Sequence, residues 1–360
     1  MDNSYNYIKN AKSSEKIDKN KPTFNRKNIC DNYSIKLLTI IKFFTLFLLA
    51  QLIYLFSFLI IMKRKKNIFS SNNKNENKDI LDNNYAIKDN IFFDKYQTKI
   101  YNKIKDKIEV NKCSQMSNNQ REFLNGVIRK YKPQKIVEIG VAEGGSSSVI
   151  LNAIQDINNA HLYSIDLSDD ISIGKCVKNL FPNFLNKWTL FTGDVAAKFM
   201  EEIGNNIDMV LIDSAHYEPG EILDFLIVLP FLKERAIVCF HDIANQITNS
   251  GNTRNEWAPY IIFNLIRGKP FFPSGNIRLT HDIGIKILDR NQNYYWHDYF
   301  RALGGQWQYF PKEKYIQFIM EYFKKYYDND CITIFNETVE FNRKFVKISP
   351  MNQIYRYNSD

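Results

Sequence analysis

The chain has little of what builds small cross-linked folds or metal knuckles. Its 360 residues include five cysteines (Cys30, Cys113, Cys176, Cys239, Cys331), far apart and with no C-x-x-C pair. Neither a disulfide framework nor a zinc knuckle is expected, and unpaired thiols suit a reducing compartment. No glycine turn continues as G-K-S/T, which removes the phosphate P-loop, and no internal repeat is present. The greater part of the chain also lacks any excess of positive charge. Residues 1–79 hold 15 basic and 6 acidic side chains, and residues 80–360 hold 33 of each, so the whole net charge of +9 belongs to the N-terminal part. A neutral body has no uncompensated lysine and arginine cluster for phosphates, which excludes a nucleic-acid partner. A hydrophobic content of 44% with 24% charged residues excludes wholesale disorder.

The N-terminal part divides in three. Residues 1–36 are rich in Asn, Lys and Ser with no apolar period, and read as a disordered basic tail. Residues 37–62 read as a single transmembrane helix: Phe43 to Met62 is a run of 20 residues without a charge, enough to cross a hydrocarbon core of ~30 Å. A buried core helix is rarely apolar on every face for this length, and a cleaved signal peptide would be shorter and start earlier. Residues 63–84 form a polar linker that opens on Lys63-Arg-Lys-Lys66. This cluster argues for a cytoplasmic C-terminal side and can lie against anionic headgroups, so residues 37–66 are the expected membrane contact. The basic tail (Lys21, Arg26, Lys27, Lys36) pulls the other way.

The body, residues 85–290, alternates short β-rich runs with helical periods from about residue 117. The runs end at Gly140, Asp166, Thr192, Asp213 and Phe240, and a late one covers Arg278 to Leu288. Such alternation predicts an α/β fold with an open parallel sheet whose ligands sit outside the carboxyl ends of the strands. Residues 291–360 read as a helical, aromatic extension, with a helix over Lys312 to Tyr327 and a short strand over Cys331 to Phe335.

The strand ends carry the chemistry. Glu138-x-Gly140-x-x-x-Gly144 closes the first strand, and its glycines let backbone approach a ligand at a helix start. The spacing is not that of pyrophosphate binding. Glu138 suits a cationic amino group, met directly or through water. Asp166, 28 residues after Glu138, ends the second strand where a carboxylate can accept from ribose hydroxyls. Gly193-Asp194 ends the third, where a side chain can reach a base edge or cap a helix. Ile212-Asp213-Ser-Ala-His216 and Cys239-Phe-His241-Asp242 end the fourth and fifth. Adjacent strands would bring Asp213 and Asp242 together, where two carboxylates with the imidazole of His241 can hold a hard divalent cation. His216 could take a proton from a hydroxyl there. Otherwise these aspartates cap helices and His216 packs over the ligand.

Together, Glu138-x-Gly140-x-x-x-Gly144, Asp166 and Gly193-Asp194 resemble the cofactor motifs of class I S-adenosylmethionine-dependent methyltransferases, over roughly residues 117–288. The resemblance implies a Rossmann-like, mostly parallel sheet of seven strands whose last strand, near residues 282–288, is antiparallel. It implies S-adenosylmethionine with its methionine part at the first glycine loop, its ribose at Asp166 and its adenine at Gly193-Asp194. The D-x-x-H and H-D pairs are similar to those of metal-dependent O-methyltransferases acting on sugars and small molecules. This chain departs from some of them in carrying His241 before Asp242 and Ile243 after it. The expectation is methyl transfer to a hydroxyl of a small molecule or glycan, with Asp213 and His216 catalytic and a Mg-like cation, by a single-pass membrane protein whose catalytic part is cytoplasmic. A nicotinamide-dependent oxidoreductase and a non-catalytic, methyltransferase-like membrane module stay open beside it.

Overall fold

The structure is a computed structural model that describes residues 93–244, 256–274 and 282–346. The expected span at 37–62 and its flanking tail and linker lie outside the described residues. Among the described residues, no helix is long and apolar enough to cross a membrane.

Two helices precede the sheet, α1 (Thr98–Val110) and α2 (Asn118–Tyr131). Sequence reading missed α1, whose apolar stripe of Tyr101, Ile104 and Ile108 is diluted by four lysines. α2 begins at a capping box in which the Ser117 hydroxyl and the Gln120 side chain each accept from the other's backbone N–H, an arrangement worth about 1 kcal/mol. The alternation then runs through β1 (Lys135–Ile139), α3 (Gly145–Ile154), β2 (His161–Asp166), α4 (Lys175–Leu180), β3 (Trp188–Thr192), α5 (Met200–Ile203), β4 (Ile207–Ile212), α6 (Gly220–Val228) and β5 (Leu232–His241). α7 (Ala258–Leu265), β6 (Gly268–Phe271) and β7 (Ile283–Leu288) follow.

The seven strands form one sheet in the order β3-β2-β1-β4-β5-β7-β6. β1 to β5 pair in parallel, and β7 runs antiparallel to both β5 and β6, as expected for residues 282–288. β6 was not anticipated. Its Gly268-Lys-Pro-Phe271 has poor strand propensity and is tolerated because it lies at the sheet edge, paired on one side only.

Successive residues of each central strand serve opposite layers. Val210 and Ile212 face one core with α6, and Met209 and Leu211 face the other with α2 and α3. Residues beyond 290 join the first of these cores. They form α8 (Trp296–Arg301), α9 (Glu313–Tyr326) and α10 (Asn329–Val346). Tyr322 and Tyr327 donate their hydroxyls to the carbonyls of Ile227 and Leu226 at the end of α6. The strand expected at Cys331 to Phe335 is therefore corrected to part of α10. Its β-branched residues look strand-like locally, but buried Cys331, Phe335 and Val339 recur every four residues and pack as a helical face.

The cysteine expectation is also corrected. Cys113 and Cys176 are joined in a disulfide, with their α-carbons 5.9 Å apart. They are 63 residues apart in sequence, and only the packing of the segment before α2 against α4 brings them together. Cys239 and Cys331 are buried and free.

Asn342 of α10 is fully buried and holds the turn before α9. It accepts from the Trp307 N–H and donates to the carbonyls of Gly305 and Thr338. Asn342→Ala strands these groups and should cost about 1–3 kcal/mol, read as a lower midpoint in urea unfolding. An unchanged midpoint would show that the turn is held by other means.

Candidate active site

The turn after β1 is built around two glycines in the left-handed region, Gly140 at φ +89° and Gly144 at φ +88°. A Cβ on Gly140 would stand 1.9 Å from the carbonyl oxygen of Asp213. Only glycine lets the loop lie against the end of β4. The Asp213 N–H completes the join by donating to the Ile139 carbonyl at 2.9 Å.

Asp166 holds this loop from the neighbouring strand. Its Oδ2 accepts from the backbone N–H groups of Val141 (2.9 Å) and Ala142 (3.0 Å), and its Oδ1 from Ser168 (2.9 Å). Gly193, at φ +86°, donates its N–H to the Asp166 carbonyl at 3.1 Å. The loop, Asp166 and Gly193 thus come together at one edge of the sheet. Asp194 accepts from the N–H of the next residue, Val195, at 2.8 Å, and does not cap the short helical turn that follows, whose N-cap is Val195.

Glu138 behaves differently from its expected part. It is fully buried, and its carboxylate accepts from the hydroxyls of Ser146, Ser147 and Ser164, each at 2.6 Å. It braces β1 to β2 and to the first turn of α3 beneath the loop, with no direct access to a ligand's ammonium. Burial raises its pKa, the three hydroxyls pull it back, and the result is about 7.

At the ends of β4 and β5, four acids and two histidines meet. β5 finishes at His241, and Asp242 then turns into the left-handed region at φ +55°, costly for a non-glycine residue. The turn brings Asp242 Oδ2 to 2.9 Å from His216 Nε2 and 3.2 Å from His241 Nδ1. His241 Nδ1 lies 3.3 Å from Asp213 Oδ1, and His216 Nδ1 lies 2.9 Å from Glu221 Oε1. Burial alone would lower the His216 pKa, but its bonds to Asp242 and Glu221 push it up to about 12. His241 is raised for the same reason by Asp213 and Asp242, and burial's upward pull on Asp242 is overcome by the two imidazoles, which hold it far below the usual carboxylate range.

Oxygens of Asp213 and Asp242 and a nitrogen of His216 lie within 4.8 Å of one another, as do ligand atoms of His241, Asp242 and Asp282. The first trio fits a hard cation through its two carboxylates. His241, the expected third donor, turns its Nδ1 to the same two carboxylates, 3.3 Å from Asp213 and 3.2 Å from Asp242. Asp282 holds the turn. Its carbonyl accepts from Ile243 and its carboxylate from Ala244, and it also meets Asp242. His281 lies outside the described residues.

Sequence reasoning missed Glu221 and the hold of the C-terminal part on this site. α6 starts directly under the loop, where a Cβ on Gly220 would stand 2.2 Å from the Ala215 carbonyl. Glu221 and Asp224 bond the Ser214 N–H and hydroxyl, and the Gln308 side chain accepts from the Glu218 N–H at 3.0 Å. Five residues from His216, Glu221 could have been noticed as a helix-start acid, but nothing local separated it from a cap. Of the aromatic residues past the fifth strand, Trp307 is core and Trp296 packs on Tyr327, whereas Trp257 is 41% exposed with Tyr260 against it.

Residues 137–243 match the family described as a methyltransferase domain, a span that runs from β1 to just past Asp242. No curated protein matches the chain by sequence. Solved structures resemble it at low identity. A Staphylococcus aureus protein described provisionally as a caffeoyl-CoA O-methyltransferase is 21% identical, over 52% of this chain and 91% of its own, at a TM-score of 0.41. An O-methyltransferase from Bacillus cereus in complex with SAH is 13% identical, over 52% and 90%, at 0.40. TomG from Streptomyces achromogenes, an O-methyltransferase involved in tomaymycin synthesis and solved with SAM, is 13% identical, over 57% and 92%, at 0.39. At these levels the likenesses carry no functional weight of their own.

Glu138 gives a test of the brace. A carboxyl raised from 4.5 to about 7 in the folded protein stabilises the fold below pH ~4.5, and that contribution is lost as pH rises through about 7. Relative to Glu138→Gln, which has no proton to lose, wild-type stability should fall by about 3 kcal/mol over this range. Urea unfolding at a series of pH values measures the difference, and parallel pH curves for the two proteins would reject the assignment.

Proposed function

We propose that the protein transfers a methyl group from S-adenosylmethionine to a hydroxyl of a small molecule or glycan, at a membrane. The observation that carries the reading is the contact of Gly140 with the Asp213 carbonyl. It sets the glycine loop and Asp166 directly beside the acid–histidine cluster, as a donor site beside a proton-accepting site must be.

S-adenosylmethionine at the loop would supply an activated methyl on a sulfonium, and a divalent cation held by Asp213, Asp242 and His241 would lower the pKa of the acceptor hydroxyl, leaving His216 free of the cation. Asp166, whose carboxylate is partly exposed, would take the ribose hydroxyls, and Gly193 would leave room for the adenine. The cluster holds the acceptor oxygen for in-line approach and receives its proton. His216 keeps its own proton while Asp242 faces it, so it becomes a base only when the Asp242 charge is drawn to another partner. The acceptor class follows from the address and from the exposed Trp257 and the half-buried Tyr260 beside the loop, where the Ala258 N–H donates to the His216 carbonyl at 3.2 Å.

The purified full chain should bind S-adenosylmethionine and not a nicotinamide dinucleotide, and should methylate members of a panel of catechols, sugars and glycolipids. Asp166→Ala should weaken cofactor binding by about 1–3 kcal/mol, and chelation should suppress turnover. Nicotinamide binding without S-adenosylmethionine binding would overturn the reading, and turnover indifferent to chelator would dispose of the cation.

The address rests on residues 37–66, with the uncharged run as anchor and Lys63–Lys66 on its cytoplasmic flank. The Cys113–Cys176 disulfide removes the support that unpaired thiols lent to a cytoplasmic body, leaving the juxtamembrane charge. In sealed vesicles of known orientation, protease should reach the body only from the cytoplasmic face. Cleavage from the opposite face alone would reverse the topology.

A further inference from the structure

We infer that Glu221 is the positioning residue of His216, an inference that rests on the methyl-transfer reading above. Glu221 opens α6 and is fully buried. Its Oε1 accepts from the Ser214 N–H at 3.2 Å and meets His216 Nδ1 at 2.9 Å. Its Oε2 is enclosed and has no hydrogen-bond partner. A buried carboxylate with one oxygen unanswered is costly for stability alone. Its one side-chain partner is His216, and that partnership gives the carboxylate a purpose.

The purpose is to choose which ring nitrogen works. With the Nδ1 proton held by Glu221, a neutral His216 carries its lone pair on Nε2, the nitrogen that faces Asp242. The acceptor's O–H bond then breaks toward Nε2 as its oxygen bonds the methyl carbon and the methyl–sulfur bond breaks. The imidazolium so formed is stabilised by the Glu221 charge. The Ser214 N–H and the α6 backbone fix Glu221 in turn, so the ring is oriented from a rigid element and not from the loop alone. Without Glu221 the ring could rotate or take the other tautomer, leaving a protonated nitrogen toward the acceptor.

The test uses the full chain in detergent micelles, with Glu221→Met, which keeps the volume and removes the acceptor, and Glu221→Gln, which keeps the shape and removes the charge. The protein has five histidines, so selective nitrogen-15 labelling, with His216→Ala for assignment, isolates the His216 ring. Wild type should show a protected Nδ1 proton on His216 that Glu221→Met loses. With the best acceptor of the panel, each Glu221 variant should lower kcat roughly a hundredfold, with KM for S-adenosylmethionine within about twofold and unfolding midpoints near wild type. His216→Ala combined with Glu221→Met should be no slower than His216→Ala alone. An unprotected Nδ1 in wild type, a Glu221→Met resonance like that of wild type, or losses that multiply in the double variant would each overturn the inference. If no acceptor is methylated at all, the methyl-transfer reading falls, and the His216 resonance still decides whether Glu221 holds the ring.

Discussion

Gly140 lies against the carbonyl of Asp213 with no room for a side chain between them, and the site follows from that approach. β1 and β4 are neighbours in the middle of the sheet, so a loop leaving one and a cluster leaving the other emerge a few ångströms apart. Asp166 fastens the loop from one side and Glu138 braces it from below. A bulkier residue at position 140 would push the loop off the strand end and break both sets of bonds.

The two halves of the site are stabilised in opposite ways. The loop half answers its two carboxylates, Asp166 and Glu138, with backbone N–H groups and serine hydroxyls. The cluster half is densely charged, with Asp213, Glu221, Asp242 and Asp282 gathered around His216 and His241. Such a cluster gains little stability from its ion pairs once desolvation is counted, and the left-handed backbone at Asp242 adds to its cost. Its rigidity comes from outside: α6 from below, and the C-terminal helices through Gln308 and the Asn342-held turn. The extension past residue 290 buttresses the candidate site for that reason.

Much of this was legible in the chain, because the strands of a parallel sheet are short apolar runs ending in the residues they display. Five strand ends, the glycine loop and the convergence of Asp213 with Asp242 needed nothing more than period and spacing. Contacts between distant segments were not legible. Cys113 and Cys176 gave no pairing signal, β6 carries a proline and a glycine, and the segment at Cys331 to Phe335 looks like a strand until Val339 is seen on the same buried face.

The sequence by itself determined the α/β alternation and which residues stand at the carboxyl ends of the strands, since local pattern decides both. Only the tertiary structure decided what those residues do. It buried Glu138 among serines and put a proton-holding imidazole between Glu221 and Asp242. The reason is that burial and charge pairing are set by neighbours far along the chain, and the same carboxylate is a ligand, a brace or a partner according to which of them it meets.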